Sequence, residues 1–253
     1  MSDKDFVQSL ERGLAVMRSF SPDRPRQTLS DVARTTGLTR ATARRLLLTL
    51  SQLGYVRTDE KFFELTPRVL DIAHSYIASL NLTEIAQPYM ERFCEEVHEA
   101  SSIAVLDDTE IVYVARVPAK RIMTVAIGLG SRFPAYQTSL GRVLLAELDN
   151  DDIVDIYDRS DHSLATDRTV TSSTALLAEL KAVRDQGWAL VDQELEIGVR
   201  SLSAPIRNVD GAAVASMNVS THAGRTDLDE VLDHFLPRLL DTVGDITAAL
   251  ALR

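Results

Sequence analysis

Phe6, Leu10, Leu14, Met17 and Phe20 recur every three to four positions, so the pattern opens on a helix with one apolar stripe. The Ser21-Pro22-Asp23-Arg24-Pro25 stretch stops it, because proline has no N–H to donate and its ring fixes φ. Thr28-Leu29-Ser30-Asp31 then offers a polar cap with an acid in the first turn, which predicts a short second helix from Leu29 to Thr36. Gly37 suits the left-handed residue that ends it. Thr39 is placed to cap a third helix, Arg40 to Leu53, closed by Gly54. Leu46, Leu47, Leu50 and Leu53 share one face of that helix, while Arg40, Thr42, Arg44 and Arg45 project elsewhere. Two strand-like runs, Tyr55–Thr58 and Lys61–Leu65, flank Asp59-Glu60 and read as a small hairpin. Thr66-Pro67 starts a further helix, apolar at Val69, Leu70, Ile72, Ala73, Tyr76 and Ile77. A linker with a dimer contact and a core helix of the next domain fit that periodicity equally.

From about residue 82 the pattern mixes helices with strand pairs. Helices are expected at Thr83–His98, Ser139–Leu148, Asp151–Tyr157 and Ser173–Gln186. Strands are expected at Ser101–Asp107 and Glu110–Val117, turning at Asp108-Thr109, and at Met123–Ile127, Ala189–Val191, Leu202–Arg207 and Ala212–Val219. Leu228–Leu252 reads as a closing helix kinked at Pro237. This predicts an α+β chain in three parts: a winged helix-turn-helix over 1–66, a linker helix over 67–81, and a domain over 82–253 with a mainly antiparallel sheet.

Charge sharpens that division. The chain of 253 residues carries a net charge of −10, which argues against nucleic-acid binding by the whole surface. Residues 1–66, however, hold 11 Lys and Arg against 8 Asp and Glu, while the rest holds 16 against 29. An acidic body is repelled by phosphate, so DNA contact is expected only in the first quarter of the chain. No signal peptide or 18-residue apolar run is read, and Cys94 is the single cysteine, which excludes a disulfide framework and fits a reducing cytoplasm.

The order helix, short helix, glycine turn, helix, hairpin is that of a winged helix-turn-helix. Thr39, Arg40 and Thr42 stand at a helix N-terminus, where free N–H groups favour phosphate. Arg44 and Arg45 follow one turn later, where a guanidinium fork can reach guanine O6 and N7 or span phosphates. Arg57 and Lys61 on the wing can reach a neighbouring backbone or minor groove.

Four stretches carry a resemblance to a known family: FVQSLERGLAVMRSF (6–20), GLTRATARRLLLTLSQLGYV (37–56), GSRFPAYQTSLGRVLLA (130–146) and DQELEIGVRSLSAP (192–205). The chain resembles the IclR-type bacterial regulators, nearest to the branch that controls catabolism of protocatechuate, 4-hydroxybenzoate or β-ketoadipate. The resemblance implies a GAF-like effector domain and a homodimer built through the DNA-binding domains and linker, in many members a dimer of dimers. It implies a pseudo-palindromic double-stranded DNA operator and a small carboxylate effector. The effector carboxylate would lie at the backbone of Ser139 and Leu140, with Asp192, Ser201, Asn218 and Ser220 around it and Met123 and Tyr136 as apolar wall. Asn218 and Ser220, two apart on a strand, would face the same side. Tyr136 and Gln137 depart from the commoner family pattern, a histidine followed by a small residue, which points to a different ligand or to a branch difference. Arg116, Arg132 and Arg200 could serve a dicarboxylate or pair with Asp192, Glu194 and Glu196.

No GxSxG, HExxH, P-loop or EF-hand pattern appears, and the five histidines lack metal-ligand spacing, so no cofactor, metal, catalytic set or membrane partner is expected. A carboxylate-processing enzyme recruited to DNA by its first domain remains the alternative reading.

Overall fold

The computed structural model describes residues 6–72, 82–119, 127–162 and 166–252. Residues 1–79 and 80–253 form two compact units. In the first, α1 (Gln8–Arg18), β1 (Arg26–Thr28), α2 (Leu29–Thr36), α3 (Arg40–Gln52), β2 (Val56–Thr58) and β3 (Phe62–Leu65) follow one another. The start of α2 is fixed by a capping box: the Thr28 backbone N–H donates to Asp31 Oδ2 at 3.1 Å, and the Asp31 N–H donates to Thr28 Oγ1 at 3.3 Å. Gly37, with φ of 67°, ends α2 in the left-handed region. Thr39 Oγ1 accepts the Thr42 N–H at 3.2 Å and opens α3. Val16, Phe20, Val32, Ala43, Leu47, Leu50, Val56 and Phe63 fill the core.

Three expectations need adjustment here. The wing has three strands in the order β1-β3-β2, because Arg26–Thr28 adds an edge that the sequence pattern did not reveal. The α1 stripe also divides: Phe20 is buried and Val16 fully so, while Phe6, Leu10 and Leu14 are 56%, 62% and 51% exposed. Leu53, expected on the buried face of α3, is exposed beyond its last turn. The expected linker helix over 67–81 is helical at 69–72, and its remainder lies outside the described residues.

The second unit runs α4 (Leu82–Val97), β4 (Ala100–Asp107), β5 (Glu110–Val117), β6 (Arg132–Pro134), α5 (Ser139–Leu145), α6 (Asn150–Arg159), α7 (Ser173–Gln186), β7 (Ala189–Asp192), β8 (Val199–Arg207), β9 (Ala213–His222) and α8 (Leu236–Ala251). Its six strands form one antiparallel sheet in the order β6-β5-β4-β9-β8-β7. The two-residue period of a strand sorts the side chains of the central strands. Leu202, Ala204 and Ile206 of β8 and Ala215, Met217 and Val219 of β9 join the core built with α4 and α8. The alternating set, Ser201, Ser203, Ser216, Asn218 and Ser220, is polar, and it includes hydrogen-bond partners of α5. A second apolar core links α5, α6 and α7 through Leu140, Val143, Leu144, Ile153, Leu176 and Leu180.

The expected closing helix is three segments: a turn at Leu228–Glu230, a π-helical stretch at Val231–Phe235, and α8. Pro237 sits in the first turn of α8, where a missing N–H is tolerated. The Met123–Ile127 strand expectation falls outside the described residues except at Ile127, which is in no strand. Among the described residues no helix is long and apolar enough to cross a membrane.

Candidate functional site

The first unit presents a bare cationic surface. Arg40, Arg44 and Arg45 lie on the exposed side of α3, opposite the buried Ala43, Leu47 and Leu50. Among the described residues none of the three is held by a carboxylate, in contrast to Arg26, Arg34 and Arg57. Thr42 is drawn to Thr39, their hydroxyls 3.0 Å apart. On the wing, Arg57 donates to Glu64 at 2.8 Å, and Lys61 lies 5.2 Å from the Phe62 ring centroid. Arg26, which the sequence reading did not single out, lies over the same ring at 4.9 Å. The free guanidiniums are therefore on the helix, and the wing cations are partly committed.

The second unit encloses a cavity of about 40 Å³ between the polar set of β8 and β9 and the start of α5. Ser139, Leu140, Ser201, Asn218 and Ser220 all line it, so those expected positions converge. Ser139 Oγ is 2.8 Å from Ser201 Oγ and 2.7 Å from Ser203 Oγ. Asn218 Nδ2 donates to Ser201 and Ser220 at 2.9 Å each, while its Oδ1 accepts the Ser102 N–H at 2.9 Å. The strand register explains the cluster, since Ser201 pairs with Ser220 and Ser203 with Asn218 across β8 and β9. Thr138 Oγ1 takes the Gly141 N–H at 2.9 Å, which leaves the Ser139 and Leu140 N–H groups without a capping oxygen. Tyr113, Ile127, Val191, Leu195 and Val199 supply apolar wall. Burial pushes the Tyr113 phenol up to about 12 against the opposing charge of Arg116, so it stays protonated at neutral pH.

Of the other three expected positions, two lie elsewhere. Met123 is outside the described residues. Tyr136 is buried beside the cavity rather than on its wall, its ring against Tyr157 and His162 with centroids 5.0 and 5.6 Å away. Asp192 is off the wall too, accepting from Arg200 Nε at 2.8 Å and Arg168 Nη1 at 2.9 Å. Burial alone would raise the Asp192 pKa, but the hydrogen bond and charge of Arg200, with help from Gln193 and Arg168, bring it below its usual value. Of the three arginines, Arg200 pairs with one of the expected acids, Asp192, whereas Arg132 is held by Asp107 and Glu110 and Arg116 donates to the Ser102 hydroxyl.

Two features escaped sequence reasoning. Glu194, named from the sequence only as a possible arginine partner, is half-buried and takes both arms of the buried Arg142 at 2.8 and 2.6 Å. Gln137 is fully buried in the cavity wall: Nε2 donates to the Tyr136 hydroxyl at 2.6 Å, and Oε1 has no partner. A buried acceptor left unpaired costs about 1–3 kcal/mol.

A winged helix-turn-helix with an unpaired arginine face, carried on one chain with an acidic α+β domain, defines a DNA-binding transcriptional regulator. Comparison with known proteins makes the assignment specific. The chain matches the IclR helix-turn-helix domain over residues 9–60 and the bacterial transcriptional regulator IclR C-terminal domain over residues 74–248. It belongs to the IclR family. It is 41% identical over 245 residues to the Pca regulon regulatory protein of Pseudomonas putida, covering 96% of this chain and 84% of that protein. A transcriptional regulator from Rhodococcus sp. RHA1 of known crystal structure is 52% identical, with a TM-score of 0.86 over 97% of this chain and 98% of that one. An IclR homologue from Microbacterium hydrocarbonoxydans, crystallised with 4-hydroxybenzoate, shares the fold at 23% identity, with a TM-score of 0.84 over 96% and 99% of the two chains.

Proposed function

We propose that this chain acts as a homodimer on a pseudo-palindromic operator, and that a small aromatic carboxylate bound in the β8–β9 cavity sets its affinity for that DNA. The observation that carries the reading is the convergence of Ser139, Leu140, Ser201, Asn218 and Ser220 on one cavity, with Tyr113, Ile127, Val191, Leu195 and Val199 as apolar wall and Gln137 and Thr138 as further polar lining. Such a cavity suits a ligand with an aromatic body and one anionic end: hydroxyls and free N–H groups meet the carboxylate, and aliphatic side chains meet the ring. The 4-hydroxybenzoate in the Microbacterium homologue and the pca regulon of the Pseudomonas relative point to the same class of compound. The enclosed volume, about 40 Å³, is small against the ~300–1,000 Å³ of a typical ligand pocket, so entry requires the wall to move. That movement supplies the differential affinity without which no ligand shifts DNA binding.

The dimer is supported by the apolar surface of the first unit: Leu10 and Leu14 on α1, and Leu70 and Ile72 at the start of the next helix, are all more than half exposed. A twofold axis would then present two α3 helices to major grooves about 34 Å apart. The test is a thermal-shift screen of the full chain with aromatic and aliphatic carboxylates. Hits would then be titrated into a complex with a duplex that the protein itself selects from a random pool. Stabilisation by an aromatic acid together with a changed DNA affinity is expected. Stabilisation without any change in DNA affinity would reject the regulatory half of the proposal.

A further inference from the structure

Among the described residues three buried side-chain atoms lack any hydrogen-bond partner: Gln27 Oε1, Glu99 Oε2 and Gln137 Oε1. Only Gln137 belongs to the wall of the β8–β9 cavity. Its amide orientation follows from its neighbours. Apart from Gln137, the Tyr136 hydroxyl has two partners within reach, the Asp161 carbonyl at 3.3 Å and His162 Nδ1 at 3.4 Å, and its one proton can go to either. The Tyr136 oxygen then accepts from Gln137 Nε2, which leaves Oε1 as the end without a partner. A carboxylate has no hydrogen to offer that oxygen, and an apolar ring has none either. The other residues lining the cavity carry no anion that would balance an ammonium. A neutral hydroxyl is the group that satisfies Oε1 without introducing charge.

We infer that Gln137 Oε1 accepts a hydrogen bond from a hydroxyl on the bound aromatic acid, and that this contact makes the chain select hydroxylated over unsubstituted aromatic carboxylates. The inference rests on the cavity being the effector site, and the experiment separates the two. Dissociation constants of benzoate, 3-hydroxybenzoate, 4-hydroxybenzoate and 3,4-dihydroxybenzoate are measured by calorimetry on the full-length wild type and on Q137M, Q137L and Q137E. The wild type is expected to favour at least one hydroxylated acid over benzoate by roughly tenfold or more, because an unmet polar group in a built site discriminates strongly. Q137M and Q137L, which remove the acceptor, are expected to bring that ratio to about twofold or less while still binding benzoate. Q137E keeps an acceptor oxygen but sets a second carboxylate against that of the ligand, so it is expected to weaken all four acids while keeping their order. Unfolding midpoints of the unliganded variants identify any that fail to fold, and two acceptor-free variants guard against losing one. A wild type that binds benzoate equally well, or a Q137M and Q137L pair that keeps the full preference, overturns the role of Gln137 and leaves the site standing. A wild type that binds none of the four acids removes the site and the inference together.

Discussion

Arg142 and Glu194, separated by 52 positions in sequence, meet in a two-armed ion pair at 2.8 and 2.6 Å whose arginine is buried and whose carboxylate is half-buried. Arg142 also donates Nε to the Tyr136 carbonyl at 2.9 Å, and Glu194 accepts the Val170 N–H at 3.2 Å. The pair therefore ties α5, which carries Ser139 of the cavity lining, to the segment after β7, which carries Leu195 of the same lining. Removing one member strands a charge in the interior. Glu194→Gln is expected to cost about 3–5 kcal/mol in urea unfolding, whereas the double change Arg142→Met with Glu194→Leu should recover most of it. A Glu194→Gln cost below about 1 kcal/mol would show that the pair is not structural.

The unpaired arginines of α3 make a separate prediction. Arg44→Ala should weaken binding to the selected operator by about 1–3 kcal/mol if it reads a base, with little change on random duplex. Equal losses on both, with a shallower salt dependence, would assign it to phosphate. Arg57, already engaged by Glu64 at 2.8 Å, should matter less when replaced, as fluorescence anisotropy on the same duplex would reveal.

Leu14 is half exposed on α1 and contributes nothing to the domain core, so Leu14→Glu should leave the fold intact. It should nonetheless shift the chain from dimer to monomer in light scattering coupled to gel filtration. A variant of unchanged mass would place the interface elsewhere.

Asp192 yields a pH prediction. Its folded pKa is depressed below the reference of 3.8 because the Arg200 and Arg168 contacts outweigh its burial. A depressed acid adds stability that is fully present above its unfolded pKa and lost as pH falls through the folded one. Wild type should therefore lose stability below about pH 3.8 with a steeper slope than Asp192→Asn, measured by denaturant titration from pH 6 downward. Parallel curves would mean that the carboxylate gains nothing from its arginines.

Much of this architecture was readable from residue pattern because the signals were local. The Thr28 and Thr39 caps, the Gly37 stop and the Ser173–Gln186 helix each depend on residues within a turn or two of one another. The Asn218–Ser220 alternation correctly placed both residues on one strand face. β1 and β6, three residues each, are too short for a two-residue period to stand out. The Arg142–Glu194 pair was hidden for a different reason: its partners are chosen by tertiary packing, and an acid amid other acids reads as surface. Asp192 was placed in the pocket by resemblance, while the geometry gives it to Arg200. Gln137 stood out only as a departure from the family pattern, and its meaning depended on knowing which of its two amide atoms had found a partner.

Gly141 adds a mechanical consequence. A Cβ there would fall 2.1 Å from the Ala135 carbonyl oxygen, so α5 and the turn at 135–137 are in backbone contact. Two chain segments that touch without intervening side chains have no play between them. Tyr136, Gln137 and Ser139 accordingly sit on a stiff frame, and a lineage that adopts a new effector must swap the side chains mounted on it rather than bend the frame.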